Sequence, residues 1–235
     1  MNLSNSPLFF SMKRITLTAI AAALLFSSVA TSANAQSVRR TRRESNANRK
    51  ARIARTIQET YGHRFEAAGG GGFLRFRSGQ YLRQNNEVTF WASTMYALNP
   101  RVGVQAEVRG AYGKAPIGNT IYNLPNPQIS EYAFLAGPTY RFRTREKYAI
   151  SGFAEGGLGL GKFDGASKGL TSAQIGTWPS EFRPAFAAGL NLDYNVFPNV
   201  ALRVTPTYLG TTFGGTLQNG KGVNAGIVYR FGKLQ

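Results

Sequence analysis

The sequence predicts an all-β protein: an eight-stranded, antiparallel, up-and-down transmembrane β-barrel carrying a basic N-terminal extension. Three observations predict it. From Phe65 to the end of the chain, apolar and polar residues alternate with a period of two in eight successive stretches. The connections between these stretches alternate between short and long. An apolar leader near the N-terminus has the form of an export signal.

The leader comes first in order. Met12-Lys13-Arg14 precedes an apolar run, Ile15 to Val29, and Ala33-Asn34-Ala35 supplies a small-x-small cleavage site. Residues 1–35 therefore read as a secretory signal peptide, with the mature chain starting near Gln36 and either Met1 or Met12 as the true start. Export of this kind implies an extracytoplasmic destination.

Residues 36–63 form the extension. The stretch from Gln36 to Arg64 holds nine bases (Arg39, Arg40, Arg42, Arg43, Arg49, Lys50, Arg52, Arg55 and Arg64) against Glu44 and Glu59, a large part of the chain's net charge of +17. Few large apolar groups accompany them, so disorder or a marginal helix is expected. Ile53, Ile57 and Tyr61 recur at i, i+4 and i+8, which would put them on one helical stripe. A basic amphipathic helix suits an anionic lipid surface or a cell-wall polymer; a solvated spacer is the preferred reading.

Residues 64–235 carry the barrel. Its first strand is Phe65 to Phe76, and in the second, from Val88 to Tyr96, the even positions are mostly apolar. Val102, Val104, Ala106, Val108 and Tyr112 of the third oppose Gln105, Glu107 and Arg109. Tyr132 to Phe142 of the fourth opposes Glu131, Thr139 and Arg141. The fifth sets Tyr148, Ile150, Ala154 and Leu158 against Ser151 and Glu155. The sixth sets Phe186 to Val196 against Asn191, Asp193 and Asn195. In the seventh, Val200 to Tyr208 opposes Arg203, Thr205 and Thr207. The eighth, Val223 to Phe231, opposes Asn224, Gly226 and Arg230. Short turns are expected at 99–101, 143–146 and 197–199, and long loops at about 78–86, 114–130, 162–183 and 214–221. Both termini then lie at the short-turn end, as an even strand number requires.

Alternation alone does not say which face is inside. Strands of about ten to fourteen residues fit a tilted membrane crossing better than the soluble norm of about five or six. Aromatic residues near the strand ends form two girdles. One, at the turn end, has Tyr96, Tyr140, Phe142, Tyr148, Tyr194, Phe197, Tyr229 and Phe231; the other has Phe90, Tyr112, Tyr132, Phe186, Tyr208 and Phe213. The polar face therefore points inward. Glu66, Glu107, Glu131, Glu155 and Asp193 with Arg109, Arg141, Arg203 and Arg230 are expected to form an interior charge network, because unpaired charges there are costly. Eight strands leave an interior just wide enough for side chains to fill.

Composition excludes several chemistries. The chain has no cysteine, which removes disulfides, thiolate catalysis and zinc–thiolate sites, and one histidine, His63, which removes multi-histidine metal sites. No catalytic residue, metal or cofactor is assigned. The glycine run Gly69 to Gly72 lacks the helix and Lys-Ser/Thr of a phosphate loop, and is expected to let aromatic rings from neighbouring strands lie on bare backbone.

The last strand, Asn224-Ala225-Gly226-Ile227-Val228-Tyr229-Arg230-Phe231, resembles the assembly signal of outer-membrane barrels, with Asn224, Gly226, Tyr229 and Phe231 at its polar, glycine and hydrophobic positions. With the leader, the eight strands and the segment Phe65 to Phe76, residues 64–235 resemble the OmpA-like/OmpX-type eight-stranded outer-membrane β-barrel family of Gram-negative bacteria. Gly232 to Gln235 after the terminal aromatic, the basic extension and the lack of a C-terminal peptidoglycan-binding domain depart from it. The resemblance implies an outer-membrane location, reached through the cleaved leader. It implies outer-membrane lipid, lipopolysaccharide and the barrel-assembly machinery as partners, and a monomer. Peptidoglycan or anionic lipid is the expected partner of residues 36–63. Nucleic acid is not expected, since no stacking aromatics interleave with the arginines.

The function expected is non-enzymatic: envelope structure or surface interaction through the long loops. A narrow, porin-like solute channel is the alternative. A lipid-modifying enzyme is a lesser one, because a Ser–His site near the outer leaflet is incompatible with a lone histidine placed ahead of the first strand.

Overall fold

The computed structural model describes residues 45–117 and 126–234, and the expected leader lies outside them. The chain divides into two units, Met1–Arg49 and Lys50–Gln235. A helix, α1, runs over Asn46–Tyr61, and the second unit contains most of it together with the barrel. The extension favoured as a spacer is thus helical over sixteen residues. Its predicted stripe explains why: Tyr61 is buried, and Ile53 and Ile57 are half-buried. Tertiary contacts of Tyr61 with the barrel supply what a polar sequence of this length lacks alone.

Among the described residues, eight strands close into a barrel in simple chain order. They are β1 (His63–Arg77), β2 (Gln84–Ala97), β3 (Val102–Lys114), β4 (Gln128–Thr144), β5 (Tyr148–Gly165), β6 (Glu181–Phe197), β7 (Val200–Thr211) and β8 (Gln218–Lys233). Every neighbouring pair is antiparallel, and β8 pairs with β1 to complete the ring. Closure removes the open edges that would otherwise invite aggregation. The strands run further into the loops than alternation suggested, reducing the long ones to 78–83, 115–127, 166–180 and 212–217. His63 opens β1 instead of preceding it. At the first short turn the Asn99 side-chain oxygen accepts bonds from the Arg101 and Val102 amides, both at 2.8 Å, a side-chain mimic of a backbone turn.

Burial is inverted relative to a water-soluble protein. Large apolar groups such as Phe134, Leu158, Leu190, Leu202 and Ile227 are exposed on the outer wall, while charged and hydroxyl groups fill the inside. No helix among the described residues is long and apolar enough to cross a membrane. A β-barrel crosses with its strands, and an apolar wall around a polar interior is the arrangement that lipid demands.

The loop end of the interior is apolar instead. Phe76, Phe163 and Phe213 meet there: Phe163 and Phe213 are edge-on with centroids 5.2 Å apart, and Phe76 lies 6.4 Å from each. Leu74, Ile129, Leu209 and Trp178 pack around them. Phe213, expected on the outer girdle, is 1 % exposed, because it continues the odd-numbered inward face of Arg203, Thr205, Thr207 and Thr211 on β7 past the end of the strand. The 166–180 loop carries a short helix, α2 (Ser172–Ile175), ended by Gly176 in the left-handed conformation. The loop is pinned by Trp178, whose indole N–H donates to the Arg77 carbonyl at 2.8 Å. Its ring lies against Gly214, where a Cβ would come within 2.2 Å of the indole and φ is +67°.

The glycine run in β1 answers to a different constraint from the one expected. A Cβ at Gly70 would stand 2.0 Å from the Ala225 carbonyl oxygen of β8. Backbone approach at the closing seam, rather than aromatic stacking, demands glycine there. Ring-on-glycine packing occurs elsewhere, as where Phe90 covers Gly110.

Candidate functional site

The turn end of the interior gathers charges that alternation had pointed inward. β1 and β8 place Glu66 directly opposite Arg230, and β6 and β7 place Asp193 opposite Arg203. Glu66 accepts from three guanidinium groups: Arg230 Nε at 3.1 Å, Arg203 Nη2 at 3.1 Å, and Arg141. Asp193 accepts from Arg203 at 2.6 and 2.8 Å and from Arg230 at 2.9 Å. All five side chains are buried. Two carboxylates holding three guanidiniums satisfy most of the acceptor sites present, the condition under which buried ions are tolerated.

The helix completes this cluster. Tyr61, at its last position, lies over two of the arginines, with Arg230 5.4 Å and Arg141 5.6 Å from the ring centroid. Such contacts strengthen when water is excluded. Its hydroxyl accepts from Asn195 Nδ2 at 2.7 Å and donates to the Arg145 carbonyl at 2.9 Å. Asn195 in turn accepts from Arg230 Nη1 at 2.9 Å. A continuous chain therefore runs from helix to barrel: Tyr61, Asn195, Arg230, Glu66. Burial pushes the Tyr61 phenol above its ordinary value. Nearer the surface, Arg52 reaches Glu146 on a short turn at 3.3 Å. The sequence put Tyr61 on the right stripe but gave no sign that it closes the barrel's mouth.

The rest of the predicted network is looser. Glu107 and Arg109, two apart on β3, pair at 2.8 Å. Glu131 and Glu155 face inward as expected, but neither makes a hydrogen bond with its carboxyl oxygens among the described residues. A cavity of about 10 Å³, lined by Arg109, Glu131 and Thr211 among others, has room for about one water beside Glu131. The predicted nine residues thus separate into a tight cluster of five at the turn end, one pair on β3, and two carboxyls apart. Sequence reasoning missed Glu87, 1 % exposed on β2, which accepts from Asn85 at 3.0 Å. Its odd number, shared with inward Thr89 and Trp91, was the available signal.

Of the expected assembly positions, Asn224 points inward and accepts from Thr89 Oγ1 at 2.6 Å. Gly226 lies opposite Gly70. Tyr229 and Phe231 are exposed on the outer wall with rings 6.0 Å apart, and Phe231 stacks on Phe65 at 5.5 Å. No group of His, Cys, Asp or Glu among the described residues could hold a metal ion.

Along the interior lie aromatic rings at the loop end, buried polar side chains in the middle and an ion cluster under Tyr61 at the other end.

No family model matches the chain, and no curated protein matches it. Solved structures do. The crystal structure of Neisserial surface protein A (NspA) is 16 % identical, with 71 % of this chain and 97 % of that one covered and a TM-score of 0.51. That of Ail, the attachment invasion locus protein of Yersinia pestis, in complex with the heparin analogue sucrose octasulfate, is 20 % identical over 70 % of this chain and 97 % of that one, with a TM-score of 0.45. OprG from Pseudomonas aeruginosa is 12 % identical over 73 % and 99 %, with a TM-score of 0.49. Identities this low speak to fold. By its closed topology, its inverted burial and its likeness to the Neisserial protein, this chain has the fold of the small OmpA/OmpX-type outer-membrane β-barrels.

Proposed function

We propose that the protein is a non-enzymatic outer-membrane barrel, closed to solutes, that serves envelope structure or surface interaction through its long loops. What supports this reading is the packing at the two ends of the interior: the rings of Phe76, Phe163 and Phe213 meet at one, and Tyr61 lies over the ion cluster at the other. A filled interior leaves the loops as the variable surface, and a rigid barrel suits holding them in place. Residues 1–35 then act as the leader, and β8, read by the assembly machinery, guides insertion.

Lipopolysaccharide is the outer-leaflet partner that the wall favours. Arg75 and Lys221 are directly opposed on β1 and β8, two residues beyond the lipid-facing pair Phe73 and Val223. Both are exposed. Like charges placed directly opposite repel, and a shared phosphate relieves that repulsion.

The test is liposome swelling with small sugars and amino acids, combined with protease treatment of intact cells. The reading expects no swelling above protein-free vesicles, and cleavage of the surface loops without breaching the cell. Rapid swelling would favour the porin-like alternative, and loops protected in intact cells would remove the surface role.

A further inference from the structure

On the side of α1 away from the ion cluster, a pocket of about 500 Å³ opens between the helix and the ends of β1 and β8, within the range of small-ligand sites. Arg55, Gln58, Glu59, His63, Asn199 and Lys233 line it. Arg55 and Glu59 are four apart on the helix and so share a face. His63 and Lys233 are register partners on the closing strands. His63 has Nδ1 3.2 Å from the Thr60 carbonyl, leaving Nε2 as its remaining polar atom. Arg55, Glu59 and Lys233 form no ion pair among the described residues. Two cations, one carboxylate, two side-chain amides and a histidine therefore share one open pocket.

Its depth identifies what it meets. Phe65 and Phe231, stacked register partners, mark the turn-end girdle, where rings meet the edge of the hydrocarbon. Lys233 lies two residues further along β8, a rise of about 7 Å that strand tilt reduces to about 5 Å across the membrane. The polar layer on each side of a bilayer is about 5–7 Å deep. The pocket consequently opens at the level of lipid headgroups.

We propose that it binds a zwitterionic phospholipid headgroup of the inner leaflet, of the phosphoethanolamine type. Arg55 and Lys233 take the phosphate, and Glu59 takes the primary ammonium. The helix reaches the lipid by headgroup recognition and not by insertion, because Tyr61, the largest apolar group on its stripe, is buried over the barrel's ion cluster. This rests on the reading that the barrel spans the outer membrane.

The experiment reconstitutes the full chain into nanodiscs of equal phosphatidylethanolamine and phosphatidylglycerol, then counts retained lipids by native mass spectrometry. The expected result is several-fold enrichment of the ethanolamine lipid. Glu59→Gln is expected to abolish that preference while keeping total retention, and the Arg55→Ala/Lys233→Ala pair to lower retention of both lipids several-fold. The mobility shift between boiled and unboiled samples confirms a folded barrel in each case. Equal lipid retention by the wild type and all variants, in barrels that pass this check, overturns the headgroup site and leaves the barrel reading intact. Retention of soluble muropeptide instead of lipid also overturns it. Absence of the mobility shift in the wild type would undo the barrel reading itself.

Discussion

Glu66 and Arg230 face each other across the seam that closes the barrel, register partners on the first and last strands with Nε 3.1 Å from Oε1. The first and last strands are thus joined by an ion pair as well as by a ladder of backbone bonds. Glu66→Leu leaves Arg203 and Arg230 with Asp193 as their remaining carboxylate, and Arg141 with the Pro100 carbonyl in place of an ion pair. Removing one partner of a buried ion pair costs about 3–5 kcal/mol. Urea unfolding followed by the electrophoretic mobility shift should show a loss of that order; a change within about 0.5 kcal/mol, the surface-substitution range, would mean that the cluster does not hold the seam.

Glu131→Leu is expected to act in the opposite direction. The carboxyl makes no hydrogen bond among the described residues, so the substitution removes a desolvated polar group without stranding a partner. The same unfolding assay should find the variant as stable as the parent or more so.

The seal at Tyr61 has a pH signature. Burial holds its phenol above the ordinary value of 10.0, so above that pH the unfolded chain loses a proton that the folded chain keeps. Its contribution is complete below about pH 10 and lost as pH rises through the folded value. Tyr61→Phe keeps the ring over Arg141 and Arg230 but removes the hydroxyl's bonds, at a cost of about 1–2 kcal/mol near neutrality. The stability gap between wild type and variant should narrow as pH climbs above 10, read from unfolding curves at a series of pH values.

Trp178→Phe removes the indole bond to the Arg77 carbonyl while keeping an aromatic ring near Gly214. A loss of about 1 kcal/mol is expected, concentrated in the 166–180 loop. Hydrogen exchange should show faster exchange of that loop's amides, with the barrel strands unchanged.

Much of the fold was legible because a period of two carries both strand identity and facing. That parity put Glu66, Asp193, Arg203 and Arg230 on one wall and Tyr229 and Phe231 on the other. Position along a strand fails where it stands in for parity. Phe213 reads as a girdle aromatic by its place near a strand end, although its odd number puts it on the inward face of Arg203, Thr205 and Thr207, where it is buried. Parity also says which residues point inward but not which meet, so the split between the tight cluster at Glu66 and the separate carboxyl of Glu131 depended on the stagger of the strands. Tyr61 was hardest to foresee. A marginal, arginine-rich helix gains its order from a mouth assembled by residues 80 to 169 positions beyond Tyr61, namely Arg141, Arg145, Asn195 and Arg230.

The central claim is that the barrel is sealed, and planar-bilayer recording of the full chain tests it most directly. The wild type should give no stable openings, and Tyr61→Ala combined with Phe76→Ala should introduce small, discrete ones by removing a side chain from each seal. Stable, nanosiemens-scale openings in the wild-type protein would contradict the account.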